Sequence, residues 1–223
     1  MHIRATSSPD DLARVHADVL QPSFPSDELA DLAVLQHLLA HGRLRLVVAE
    51  QHGALLGAAI AEWSPATGIL LLAHLAVAPG GRGGGVGGAL LDAAVEAWRA
   101  ELDPWLVLAE VEDPAVHAGS PEHGDPVARL RFYRRRGARV VPVPYVQPAM
   151  RPGGPRVGGL LLLALCASGD RLAGVEADGT WLVPTAPLRA FLESYFASSE
   201  GVDPSGPDWD ALVAALAPPV LRV

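Results

Sequence analysis

Residues 70–98 are LLLAHLAVAPGGRGGGVGGALLDAAVEAW. An apolar run of strand length ends at Ala78-Pro79, a cluster of glycines around one arginine follows, and an amphipathic helix begins directly after it. Glycines before a helix let backbone N–H groups approach an anion closely, and the helix N-terminus adds partial positive charge. The stretch therefore predicts a binding site for a cofactor that carries phosphate.

The composition indicates a globular chain with an acidic balance. Half of the 223 residues are hydrophobic, yet no run reaches the roughly 18 apolar residues of a membrane span, and the first 15 residues lack the apolar segment of a secretion signal. The net charge of −8, with 25 acidic and 17 basic residues, argues against nucleic-acid binding and mildly favours a cationic substrate or partner. The single cysteine, Cys166, rules out an internal disulfide and predicts a cytoplasmic location.

Apolar periodicity and Pro/Gly breakers predict the order of elements along the chain. Strands are predicted over 2–6, 44–50, 54–63, 69–78, 105–112, 138–146 and 159–166. Helices are predicted over 9–20, 27–40, 86–101 and 126–136. This order places antiparallel strands first and a parallel crossover in the middle of the chain.

Residues 167–223 are predicted to form a C-terminal extension to a domain of residues 1–166. The extension contains a possible hairpin within 172–183 and helices over 187–197 and 208–217. Both helices have an apolar face, so the extension is expected to pack on the domain or to form the contact of a homodimer.

The glycine cluster allows two interpretations. Gly83-x-Gly85-x-x-Gly88 matches a dinucleotide fingerprint, and Glu110 follows where a ribose-binding acid would stand. The motif does not open a βαβ repeat, however, and no second βαβ half follows. The alternative pattern, [Q/R]-x-x-G-x-[G/A], is met by Arg82-Gly83-Gly84-Gly85-Val86-Gly87, after LAVAP and before ALL. This segment resembles the coenzyme A pyrophosphate loop of the GCN5-related N-acetyltransferase (GNAT) superfamily.

A second motif strengthens that resemblance. Arg131-Phe132-Tyr133-Arg134-Arg135-Arg136-Gly137-Ala138 looks like the aromatic-Tyr pair that precedes a glycine in the same family, except that Ala138 stands where an aromatic is usual. The two motifs occur in the family's order, and the resemblance covers residues 1–166. It implies an α/β fold with a mixed, mostly antiparallel central sheet flanked by helices, here followed by the extension.

The resemblance also implies how acetyl-CoA would be bound. Backbone N–H groups of the glycine turn would hold the pyrophosphate, and Arg82 would add positive charge at its entry. In the family the strand before the turn pairs with the pantetheine arm. The expected coenzyme A contacts are Leu75, Ala76, Val77, Arg82, Gly83, Gly84, Gly85, Val86, Gly87 and Gly88.

Transfer of an acetyl group to an amine needs a base for the ammonium and an acid for the departing thiolate. The resemblance places Tyr133 as the proton donor and Phe24 in the acceptor pocket. Glu110 and Glu112 share one face at the end of an otherwise apolar strand, so they are candidates for the base and for binding a cationic amine. His74, within LLLAHLAV, is a second candidate base.

Together these observations predict an acetyl-CoA-dependent N-acetyltransferase. The acceptor is expected to be the primary amine of a small molecule, which attacks the thioester directly in a ternary complex. The alternatives are an NAD- or FAD-dependent oxidoreductase and a non-catalytic acyl-CoA-binding module. His117, Glu122 and His123 are spaced too irregularly to predict a metal site.

Overall fold

The computed structural model describes residues 1–24, 29–78, 84–119, 124–151 and 153–223. It divides into two compact units, Met1–Pro65 with Leu70–Pro104, and Ala66–Ile69 with Trp105–Val223. In the described ranges, no helix combines the length and the apolar character needed to cross a membrane. The boundary expected between residues 166 and 167 stays a prediction.

The first unit contains four strands and three helices. In chain order these are β1 (His2–Thr6), α1 (Pro9–Val15), α2 (Leu32–Ala40), β2 (Leu44–Gln51), β3 (Ala54–Ser64), β4 (Ile69–Val77) and α3 (Val86–Leu102). A π-helical turn, His16–Leu20, extends α1, and Gln21 N donates to His16 O at 3.0 Å. β2 pairs antiparallel with both β1 and β3. The unit is thus an antiparallel meander with helices packed on it.

Opposite faces of this meander carry different helices. On one face, Arg4 and Thr6 of β1 both donate to Asp11 Oδ2 of α1, at 2.8 and 2.7 Å. On the other face, Arg45 of β2 forms an ion pair of 2.9 Å with Glu101 of α3. We call these the α1 face and the α3 face. Residues directly opposite each other in antiparallel strands share a face, so the register extends this assignment from β1 through β3.

Gly57 allows an unusually close approach between strands. A Cβ atom at this position would lie 2.6 Å from Ala76 O and 3.4 Å from Leu90 Cδ2 of α3. Ala78 N also donates to Leu56 O at 2.8 Å. Because no side chain fits at residue 57, the end of β4 that leads into the glycine turn lies directly against β3.

The second unit contains the remaining strands and helices. These are β5 (Leu106–Glu112), α4 (Pro126–Arg134), β6 (Arg139–Val140), β7 (Leu160–Ala167), β8 (Gly174–Val175), β9 (Trp181–Pro184), α5 (Thr185–Glu200), α6 (Pro207–Ala215) and β10 (Val220–Arg222). β7 pairs antiparallel with β5 and with β6. β8, β9 and β10 form a small antiparallel sheet.

The seven strands β1 to β7 are ordered β1-β2-β3-β4-β5-β7-β6 in one sheet. The expected α/β fold with a mostly antiparallel central sheet and flanking helices is therefore confirmed. The predicted hairpin within 172–183 is also present as β8 and β9.

The segments after residue 166 pack closely within the second unit. The rings of Phe196 on α5 and Trp209 on α6 lie 5.1 Å apart, so the apolar faces of the two helices are covered inside the chain. Arg156 and Glu200 form a largely buried bidentate ion pair, with distances of 2.7 Å from Nε to Oε1 and 2.9 Å from Nη2 to Oε2. This pair connects the loop before β7 to the end of α5.

Two predicted elements need correction. The helix expected over 27–40 begins only at Leu32, because Asp31 has an extended conformation and serves as its N-cap. The predicted cap Ser26 lies outside the described residues. The strand expected over 138–146 contains only β6, since Pro142 and Pro144 lack the N–H groups that a longer strand would need. The short strand β10 was not predicted.

Candidate active site

The first turn of α3 contains backbone N–H groups that make no helical hydrogen bond and, among the described residues, no acidic side chain. Gly85 is the N-cap in a left-handed conformation (φ 77°), which favours glycine. The first helical hydrogen bond runs from Ala89 N to Gly85 O, so the N–H groups of Val86, Gly87 and Gly88 precede it. The described residues here fit a pyrophosphate group. Arg82 and Gly83 lie outside the described residues.

A second glycine of this helix lies against β4. A Cβ atom on Gly87 would make ordinary van der Waals contact with Val77 Cγ2, at 3.4 Å, so the helix start lies against the side chain at the end of the strand. Leu75, Ala76 and Val77 are the last residues of β4. The structure therefore brings the two groups of expected coenzyme A contacts, strand end and helix start, side by side within the first unit.

His74 is buried on the α1 face among aromatic neighbours. Its ring centroid lies 4.8 Å from that of Phe24, which follows the π-helical turn. Burial, together with the nearby His16, lowers the pKa of His74 to about 4. The imidazole is therefore neutral near pH 7, and it holds an accepted proton weakly.

Glu110 accepts two side-chain hydrogen bonds. The hydroxyl of Tyr145 donates to Oε1, and Gln147 Nε2 donates to Oε2 at 3.0 Å. Burial raises the pKa of Tyr145 well above its usual value, and the adjacent carboxylate of Glu110 adds to the effect. The phenol therefore remains protonated, as a donor must. Gln147 is held in turn by backbone hydrogen bonds with Val157, of 2.9 and 3.0 Å.

Glu112 is paired with a cation. Arg129 of α4 donates from Nη1 to Glu112 Oε2 at 2.7 Å. Asp125 and Pro126 begin α4, and the Asp125 side chain accepts from Val127 N at 2.8 Å. This cap sets the first turn of the helix, which carries Arg129 to the end of β5.

Tyr133 lies one turn after Arg129 on α4 and is almost completely buried, with 6% of its surface exposed. Burial raises the pKa of Tyr133 to about 12, although Arg129 lowers it somewhat. Within the described ranges its hydroxyl makes no hydrogen bond. The side chain is thus a protonated phenol with its donor unused, as the predicted role of proton donor requires.

The sequence interpretation missed four neighbours of these residues. Tyr145, Gln147 and Arg129 could not be found from local pattern, because their contacts to β5 span 17 to 37 positions. Glu62 could have been found, since it is an acid within an apolar strand, as Glu110 is. It lies on β3 opposite Leu44, and burial raises its pKa.

Comparison with known proteins gives one family and a common fold. The sequence model of the acetyltransferase (GNAT) domain matches residues 42–137, a range that contains both motifs quoted from the sequence. No curated protein sequence matches the chain significantly.

Several solved structures are similar to this chain. A protein from Bacteroides thetaiotaomicron assigned to the GNAT family is 17% identical with a TM-score of 0.63, and the match covers 91% of this chain and all of that one. A GNAT-like decarboxylase, GphF, solved with isobutyryl-CoA, is 22% identical with a TM-score of 0.53, covering 74% of this chain and all of its own. A ribosomal-protein-alanine N-acetyltransferase from Brucella melitensis is 21% identical with a TM-score of 0.50, covering 74% and 98%. At these identities the likeness shows the fold.

Proposed function

We propose that this chain is an acetyltransferase of the GNAT superfamily, which uses acetyl-CoA, and that it transfers the acetyl group to a primary amine of a small molecule. The observation that carries the proposal is the glycine-led start of α3 beside the end of β4, within the range that matches the GNAT domain. That match favours the acyl-CoA interpretation of the motif over the dinucleotide interpretation.

Acetyl-CoA supplies an activated acyl group as a thioester. In the proposed reaction the amine nitrogen attacks the thioester carbonyl carbon, the carbon–sulfur bond breaks, and the sulfur leaves as a thiolate that takes a proton. The N–H groups of Val86, Gly87 and Gly88 would bind the pyrophosphate, together with Arg82 and Gly83. No covalent enzyme intermediate is needed, so the two substrates would bind together.

Tyr133 is the proposed donor of the proton that the thiolate takes. Its raised pKa of about 12 keeps the phenol protonated at neutral pH, and its burial keeps competing water away. An ordinary thiol, with a pKa of about 8.5, is a stronger acid than this phenol, so the proton would pass to the sulfur only because a thiolate that forms out of contact with water also has a raised proton affinity.

Three residues remain candidates for the base that deprotonates the ammonium. Glu110 accepts hydrogen bonds from neutral side chains, those of Tyr145 and Gln147. Glu112 forms an ion pair with Arg129, which is permanently charged. His74 is neutral and can accept a proton, but its lowered pKa makes it a weak base. Glu110 is the preferred candidate of the three, because Tyr145 and Gln147, which are neutral side chains, hold both of its carboxylate oxygens in a fixed orientation at the end of β5.

The acceptor is proposed to be a small cationic amine. The net charge of −8 favours binding of a cation, and several acidic side chains lie on β3 and β5 within the matched domain. We further propose a cytoplasmic location, because the single cysteine needs no oxidising compartment. The homodimer stays a prediction.

A thiol-release assay tests the proposed function. The purified full-length chain is incubated with acetyl-CoA and tyramine, spermidine, glucosamine or glycinamide, and the acetylated amine is identified by mass spectrometry. We expect release of coenzyme A that depends on one of these amines. Absence of acetylated product with every amine, together with binding of NAD or FAD, would contradict the proposal.

A further inference from the structure

Glu62 lies on the α1 face of β3, and the proposed reaction assigns it no role. In the pairing of β3 with β2, Glu62 lies opposite Leu44. Two residues further along β2, Leu46 lies opposite Ile60 on one side and Thr6 on the other. Thr6 contacts α1 through Asp11, so alternation along β3 places Glu62 on the same face.

That face also carries the residues expected near the acceptor. The ring of His74 contacts Phe24, and His16 of the π-helical turn lies close enough to influence the charge of His74. The π-helical turn follows α1 directly and packs on β3. Glu62, His74 and Phe24 are thus on one side of the meander, away from α3.

The carboxylate of Glu62 differs from the other acids of this face in having no partner among the described residues. Asp11 and Glu50 both accept hydrogen bonds from Arg4, at 2.8 and 3.3 Å. Glu62 accepts none in the described part of the chain. Arg43 acts on it only through its charge and is itself exposed.

An unpartnered and partly buried carboxylate is unfavourable unless a cation or hydrogen-bond donor binds to it. Burial raises the pKa of Glu62, as expected for an acid with restricted access to water and no donor. An ammonium ion supplies both a positive charge and up to three donors. A primary alkylammonium group therefore supplies the positive charge and the hydrogen-bond donors that the carboxylate of Glu62 lacks among the described residues.

We propose that Glu62 binds the ammonium group of the acceptor amine. This inference rests on the proposed function and deepens it: the acceptor is an amine that arrives in its charged form and is recognised on the α1 face. Glu62 would contact the substrate directly, whereas Asp11 and Glu50 of the same face are occupied by Arg4.

The test compares Glu62→Gln with Glu101→Gln. Both remove one carboxylate charge from the same unit, but Glu101 lies on the α3 face with about half of its side chain exposed. The probe is whichever of tyramine, spermidine, glucosamine and glycinamide the wild-type protein acetylates fastest. Steady-state kinetics give KM separately for this amine and for acetyl-CoA.

We expect Glu62→Gln to raise KM for the amine by about tenfold or more, because a hydrogen bond to a charged group is replaced by a neutral one. KM for acetyl-CoA should change by less than about twofold, and Glu101→Gln should behave as wild type. Glu62→Asp, which keeps the charge, should recover part of the loss. Thermal melting followed by circular dichroism verifies that each variant is folded.

An unchanged KM for the amine in folded Glu62→Gln would overturn this inference while leaving the proposed function intact. A fall in kcat at constant KM for the amine would overturn it too, since binding of the ammonium must appear in KM under these conditions. If Glu62→Gln does not fold, the comparison passes to Glu62→Asp, whose carboxylate is one methylene shorter: a raised KM for the amine with an unchanged KM for acetyl-CoA supports the inference, and a wild-type KM for the amine overturns it. Failure of the wild-type protein to acetylate any amine contradicts the proposed function itself.

Discussion

The hydroxyl of Tyr145 donates a hydrogen bond to Glu110 Oε1, and this contact joins residues that are 35 positions apart. Tyr145 is buried, and Gln147 holds the second carboxylate oxygen of Glu110. The orientation of Glu110 at the end of β5 is therefore set by the loop that follows β6. Both of these donors are neutral side chains.

This arrangement predicts different outcomes for the two acids of β5. Glu110→Gln should lower kcat by about 100-fold near neutral pH and change the acidic limb of the pH–rate profile, as expected for loss of a general base. Glu112→Gln, which removes only the partner of Arg129, should alter the profile less. The measurement is kcat and kcat/KM against pH for wild type and both variants. Unaltered profiles in both would eliminate these acids as the base.

Tyr133→Phe should lower kcat by about 100-fold while leaving the affinity for acetyl-CoA unchanged, because only the proton donor is removed from a buried ring. Turnover by thiol release and cofactor binding by calorimetry separate the two quantities. A wild-type kcat in Tyr133→Phe would remove this residue from the mechanism.

Gly87→Val should abolish measurable binding of acetyl-CoA, since even a Cβ atom already contacts Val77 Cγ2 at 3.4 Å and the branched side chain would fill the space before α3. Gly158→Val is the control, because Gly158 has open space around it and an ordinary backbone conformation. Calorimetric titration with acetyl-CoA gives both affinities. Tight binding by Gly87→Val would show that the cofactor does not use the start of this helix.

The lowered pKa of His74 predicts a loss of stability in acid. The unfolded chain takes up a proton near pH 6.5, whereas the folded protein does so only near pH 4, so stability is complete above pH 6.5 and falls as the pH drops towards 4. The loss attributable to this residue is about 3 kcal/mol, because each pKa unit corresponds to about 1.4 kcal/mol. Denaturant unfolding at a series of pH values measures it.

His74→Gln removes this titration and should give a shallower decrease in the free energy of unfolding with falling pH. The contribution of His74 is the difference between the slopes that the wild-type protein and His74→Gln give for the free energy of unfolding against pH. Burial raises the pKa of Glu62, so its contribution has the opposite sign: it is present below its usual pKa of 4.5 and is lost as the pH rises through the folded-state value. Equal slopes in wild type and His74→Gln would show that His74 titrates normally.

The sequence was sufficient for elements whose pattern is local. β1 and β2 to β4 were predicted within a residue or so at each end, and α3 was found from its glycines and its apolar periodicity. The strand predicted over 138–146 is wrong because the prediction followed the apolar residues there. It gave no weight to Pro142 and Pro144, which have no N–H group to donate to a neighbouring strand. Local pattern thus located the elements more reliably than it determined how far each one extends.

The sequence predicted individual residues of the candidate site but not the contacts between them. The position of Glu110 on a strand follows from period-two alternation, but its two donors come from a loop whose path depends on the pairing of Gln147 with Val157. The burial that changes the pKa of His74 and Tyr133 likewise depends on packing. Distances of this kind follow from tertiary contacts, which one sequence does not contain.

The ion pair of Arg156 with Glu200 bears on how far the chain can be shortened. A protein truncated after Ala167 would keep both sequence motifs but would lose Glu200, the ion-pair partner of Arg156, and Phe196, whose ring lies against the same guanidinium. The truncation would also expose to water the apolar surface that Leu188, Leu192 and Phe196 of α5 bury in the second unit. The C-terminal residues are therefore a folding requirement of the segment that holds Gln147, and a minimal catalytic fragment should retain them through α5.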